Sequence, residues 1–130
     1  MEQGPNVKGH GLSGIARLRA AYRNSVAGFG DIWRGEEAFR IEVIVLLLSL
    51  PVAIWLGETM LARAALVVSV LFVLIVEILN SAIETVVDRI GAERHELSRI
   101  AKDLGSLAVL LATIAAGLIW LAALWDRFAG

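Results

Sequence analysis

Apolar residues in this chain gather into three long blocks, VIVLLLSLPVAIWL at 43–56, ALVVSVLFVLIV at 65–76 and LAVLLATIAAGLIWLAALW at 107–125. Blocks of this length are too many to bury inside a chain of 130 residues, so lipid has to solvate them. The pattern predicts membrane helices at about 39–56, 61–90 and 104–128, the second with its last turns outside the lipid. Leu56, Gly57, Glu58 and Thr59 form a tight turn between the first two, and GAERHELSRIAKD (91–103) reads as a polar loop before the third. Pro51 falls inside the first span, where it is tolerated as a kink, and Arg40 and Trp55 support the span's ends.

Ahead of the spans the periodicity changes. From Ser13, a suitable N-cap, the residues Ile15, Leu18, Tyr22, Val26, Phe29 and Trp33 recur at steps of 3, 4, 4, 3 and 4. They make one stripe of a helix over 13–35, with Arg17, Asn24 and Asp31 opposite it and Arg19 and Arg23 on its flanks. Such a helix lies in the membrane interface, because no soluble segment remains to cover its apolar face. Gly28 and Gly30 are expected to break it into two pieces. Residues 1–12, with their glycines and Pro5, read as a disordered tail, leaving 13–130 as one all-α membrane domain.

Composition sharpens this picture. Hydrophobic residues make up 58% of the chain, against roughly 45–50% in soluble globular proteins. A net charge of −1 gives no reason to expect nucleic acid as a partner, and the lack of cysteine excludes disulfides and thiolate metal sites. No removable signal peptide is expected, since no charged start runs directly into an apolar core and a small-residue cleavage site. Of the 12 Lys and Arg, six lie up to Arg40, one in the 57–63 turn, four in the 89–102 stretch and one in the tail. This asymmetry places the N-terminus and the 91–103 segment in the cytoplasm.

The second helix carries Glu77, Asn80, Ser81, Glu84 and Asp88 at spacings that fall on one narrow stripe. Counted from Leu61, Glu77 stands about 24 Å along a hydrocarbon core about 30 Å thick, just inside the cytoplasmic boundary. Glu84 stands about 10 Å further on, among headgroups and water. A carboxylate at the depth of a lipid hydroxyl, followed by carboxylates in water, suits phosphoryl transfer from a soluble polyphosphate to a membrane alcohol. Glu77 is then the candidate base, and Glu84, with a second acid such as Glu36, a candidate pair of oxygen ligands for Mg²⁺. The competing reading has these acids pairing with Arg40, Arg89 or Lys102 and only fixing helix packing. Glu93, His95, Glu96, Lys102 and Asp103 supply a mixed-charge set able to meet a nucleotide, although a charged connection between spans can be no more than solvated. HELS lacks the second His of a zinc-protease motif, His10 sits in the tail, and neither a GxxxxGK[ST] loop nor a kinase glycine-rich strand is present.

EAFRIE (37–42), VEILNSAIETVVDRIG (76–91) and ERHELSRIAKDLGSLAVL (93–110) closely resemble the signature of the prokaryotic diacylglycerol kinase family, with similarity from about residue 15 to the end. The resemblance implies a homotrimeric bundle in the bacterial inner membrane that phosphorylates diacylglycerol with ATP and Mg²⁺, its sites shared between neighbouring copies. It carries the family's base to Glu77 with Asn80 beside it, and its metal-holding acids to Glu36 and Glu84. Nucleotide contacts fall on Arg17, Asn24, Glu93, Arg94, His95, Lys102 and Asp103. Lipid contacts fall on Arg17, Trp33, Phe39, Arg40, Glu42, Glu77 and Ser106. Asn24 departs from the family pattern, which has a Tyr against the nucleotide base; Tyr22 lies about 200° away around the helix. Other members of the wider family phosphorylate undecaprenol. From a different class, a small exporter would also use an intramembrane Glu, though with four spans and an acid at mid-membrane, and a non-catalytic scaffold would need none of this chemistry.

Overall fold

The computed structural model describes residues 13–130, which are helical almost throughout; the tail expected over 1–12 lies outside the described residues. Four helices follow one another: α1 (Gly14–Gly35), α2 (Glu37–Leu56), α3 (Met60–Ile90) and α4 (Glu96–Phe128). They divide into two compact units between Gly35 and Glu36.

In the first unit, Ser13 caps α1 by accepting from the Ala16 amide at 3.3 Å. The expected break at Gly28 and Gly30 does not occur, and α1 runs unbroken through both. Glycine costs a helix interior about 1 kcal/mol, a penalty but not a veto. No residue of α1 is buried.

In the second unit, α2, α3 and α4 are each long and apolar enough to cross a membrane. Thr59 starts α3 by accepting from the Ala62 amide at 3.1 Å. The turn before it depends on Gly57, where a Cβ would lie 2.8 Å from the Arg63 amide nitrogen and 3.0 Å from the Ala53 carbonyl oxygen. Arg63 closes the same turn, its Nε donating to the Gly57 carbonyl at 3.0 Å. With 31 residues α3 is about 46 Å long, so it outruns a hydrocarbon core of about 30 Å.

The third span needs correction. α4 begins at Glu96 and not near Leu104, and the connection shrinks to residues 91–95. The charged residues mark the exit from lipid, but they continue the helix into water. His95 caps it, Nδ1 accepting from the Leu97 amide at 3.1 Å, and Arg99 pairs with Glu96 one turn before it and, at 2.7 Å, with Asp103 one turn after. α2 also starts slightly early, at Glu37, and continues through Pro51.

α3 packs against both other helices, while α2 and α4 barely meet. Ala53, Leu56 and Leu66 form the core near the turn, with Val67, Trp120 and Ala123 laid over it. Near this core two polar side chains find their partners within the bundle, as a solvent without hydrogen bonds favours. The Trp120 Nε1–H donates to Ser69 Oγ at 3.1 Å, and Ser69 Oγ donates to the Leu66 carbonyl at 2.7 Å. Only 6% of the apolar window of α4 is buried, against 33% for α3, so most of α4 is left for lipid or further copies of the chain.

Candidate functional site

Because α2 and α4 both run antiparallel to α3, the start of α2, the end of α3 and the start of α4 share one end of the bundle. On α3 the acidic stripe turns toward the neighbouring helices: Glu77 and Ser81 are buried, Asn80 and Glu84 half-buried, and Asp88 exposed. Glu36, the residue before α2, and Glu84 both lie close enough to Glu77 for their charges to act on it. Glu42, on the second turn of α2, does the same. Three carboxylates, Glu36, Glu42 and Glu84, therefore lie within electrostatic reach of Glu77.

Among them Asn80 Nδ2 donates to Glu84 Oε1 at 3.4 Å. Two buried atoms in this corner, Glu42 Oε2 and Ser81 Oγ, have no hydrogen-bond partner, and neither has Asn80 Oδ1, which lies against Gly105 of α4. Buried polar atoms left this way mark a place where a ligand or water completes the set. These atoms and the carboxylates around Glu77 are all oxygens, the chemistry that a hard divalent cation takes. Among the described residues, no group of three or more His, Cys, Asp or Glu side chains is set to hold a metal alone. A cation held by Glu36 and Glu84 would thus draw its remaining ligands from phosphates and water, as Mg²⁺ at nucleotide sites does.

Further out, the α3–α4 connection frames an open cleft of about 600 Å³. Glu93, Arg94, His95, Lys102 and Asp103 line it together with Asp88, so five of the candidate nucleotide residues meet in one place. Lys102 Nζ pairs with Asp88 Oδ1 at 2.7 Å, tying the end of α3 to the second turn of α4. Since His95 spends Nδ1 on capping α4, its proton sits on Nε2, which leaves that nitrogen as a donor for a bound group.

The other sequence-predicted residues are placed as follows. Arg17, Asn24 and Trp33 belong to α1, where Trp33 stacks on Phe29 with centroids 5.7 Å apart. Phe39 is buried, Arg40 half-buried and Ser106 exposed.

Sequence reasoning missed two features. One is an apolar groove of about 540 Å³ among α2, α3 and α4, with Glu42 and Ser49 on one side and Thr113 and Trp120 on the other. The other is Gly105, buried against Asn80. Neither has a signal along one helix, because both arise where helices cross.

The family model for "Prokaryotic diacylglycerol kinase" matches residues 23–124. The chain is 49% identical over 116 residues to the "Diacylglycerol kinase" of Escherichia coli K12, covering 89% of this chain and 95% of that protein. It is 44% identical over 110 residues to the "Diacylglycerol kinase" of Pseudomonas aeruginosa, covering 85% and 89%, and 43% identical over 108 residues to that of Haemophilus influenzae, covering 83% and 92%.

Proposed function

The chain belongs to the prokaryotic diacylglycerol kinase family, and from that premise we propose that it uses MgATP to phosphorylate the free hydroxyl of diacylglycerol at the cytoplasmic face of the bacterial inner membrane. The observation that carries this reading is the position of Glu77, buried on α3 with Glu36 and Glu84 close by and the charged α3–α4 cleft beyond the same end of the helix. The lipid hydroxyl reaches Glu77 from the bilayer, and the nucleotide reaches the cleft from water.

The hydroxyl oxygen attacks the γ-phosphorus, its proton passes to the Glu77 carboxylate, and the bond from the γ-phosphorus to the bridging oxygen of ADP breaks. Products are phosphatidic acid and ADP. Glu36 and Glu84 hold Mg²⁺, which neutralises phosphate charge when bound. Lys102, Arg94 and the Nε2–H of His95 bind the phosphates, and Arg17 and Asn24 of α1 add contacts to the nucleotide. Trp33, Phe39, Arg40, Glu42 and Ser106 serve the lipid. The enzyme works as a homotrimer with the N-terminus in the cytoplasm, neighbouring copies covering the faces that α1 and α4 leave open.

The test is ADP release by detergent-solubilised protein on addition of short-chain diacylglycerol, with undecaprenol in a parallel arm. ADP release with diacylglycerol supports the reading, and release with undecaprenol alone reassigns the lipid. Release with neither overturns the kinase and leaves an exporter or a scaffold.

A further inference from the structure

We propose that Gly105 is a positioning residue for the metal-holding acid Glu84, acting through Asn80, an inference that rests on the reading of Glu84 given above. α3 and α4 approach each other closely at Asn80 and Gly105. A Cβ on Gly105 would run into Asn80 Oδ1, and would stand 3.2 Å from Asn80 Cγ and 3.8 Å from its Cα. Gly117, further along the same helix, has nothing within 4 Å of such a position, so close approach is particular to Gly105 and not a general feature of α4.

The contact fixes which way the amide of Asn80 faces. Its oxygen lies against α4, buried and without a hydrogen-bond donor, and the hydrogen that Gly105 carries in place of a side chain leaves room for it. Its NH₂ group therefore faces Glu84 Oε1, 3.4 Å away.

An added methyl group at position 105 clashes with the end of the Asn80 side chain, while the Asn80 Cα at 3.8 Å stays at ordinary van der Waals distance. The helices can stay where they are while the amide turns away. Glu84 then loses the donor that orients it, and ligand carboxylates without such partners bind metal about tenfold to a hundredfold more weakly. Since the bond here is long, the lower figure applies: Gly105→Ala weakens cation binding about tenfold.

The measurement is Mn²⁺ binding, followed by electron paramagnetic resonance, to the full-length detergent-solubilised protein with a non-hydrolysable ATP analogue. Gly105→Ala, Asn80→Ala, the double variant and Glu84→Gln are compared with the parent, and oligomer size is recorded for each. Gly105→Ala and Asn80→Ala should each weaken Mn²⁺ binding about tenfold, and the double variant should match Asn80→Ala within about twofold, because no amide remains to displace. Unchanged binding in Gly105→Ala, or an equal further loss on top of Asn80→Ala, overturns the proposal. So does a Gly105→Ala chain that fails to assemble, since the contact is then one of packing. If Glu84→Gln weakens Mn²⁺ binding while Gly105→Ala does not, only the positioning role falls; if Glu84→Gln has no effect, the metal reading falls and takes the positioning role with it.

Discussion

Lys102 Nζ lies 2.7 Å from Asp88 Oδ1, so the last turn of α3 and the second turn of α4 are joined by an ion pair across 14 residues of sequence. Both side chains are well exposed, and exposed pairs contribute little to stability. The pair's effect is positional: it holds the ammonium over the cleft that would take the nucleotide.

Asp88→Asn should therefore leave the oligomer intact and raise the KM for ATP about two- to fivefold, the fold-change expected from one exposed ion pair. The difference should shrink as salt rises, because a Debye length of about 3 Å at 1 M screens the pair. ATP titrations of parent and variant at low and high salt check this. A lower KM in the variant would mean that Asp88 repels the nucleotide more than it orders Lys102.

Trp120 and Ser69 give a second test, within the lipid. The indole donates to Ser69 Oγ at 3.1 Å, and Ser69 donates onward to the Leu66 carbonyl. Ser69→Ala leaves the indole N–H without an acceptor in a solvent that offers none. A double-mutant cycle with Trp120→Phe, read by unfolding in detergent, should give a coupling energy of about 0.6–1.7 kcal/mol. Coupling near zero would remove this hydrogen bond from the forces joining α3 to α4.

Topology is open to direct labelling. Ten of the twelve Lys and Arg fall at the N-terminal region and in 89–102, so that side should face the cytoplasm. An impermeant thiol reagent applied to intact cells should label a cysteine placed at Glu58 or Gly130 and should spare one placed at Arg94. Labelling at Arg94 without permeabilisation would put the cleft on the wrong side for cytosolic ATP.

How far the sequence could be read depended on whether a feature lies along one helix or between two. The bounds of α3 follow from its apolar run behind the turn at 56–59, read as about 61–90 and observed as Met60–Ile90. The stripe from Glu77 to Asp88 follows from helical spacing alone. The start of α4 did not follow, because hydropathy marks where lipid ends and not where a helix ends. The signal that would have corrected it was the spacing of Glu96, Arg99 and Asp103 behind a capping His95. The unbroken course of α1 through Gly28 and Gly30 shows the converse error, a local propensity weighted above a continuous stripe. The approach of Glu42 to Glu77 and the seat of Asn80 on Gly105 depend on how two helices cross, and no single-helix pattern encodes them.

The central claim is that Glu77 accepts the proton of the lipid hydroxyl. Glu77→Gln keeps the shape and much of the hydrogen bonding of the side chain but cannot take a proton, and an amide is cheaper than a carboxylate to bury at the lipid edge. Steady-state phosphorylation of diacylglycerol by Glu77→Gln should fall by at least about a hundredfold, the lower range for a general base, while ATP affinity and oligomer size match the parent. Activity within a few fold of the parent would contradict the account, and loss of activity together with the oligomer would make Glu77 a packing residue instead.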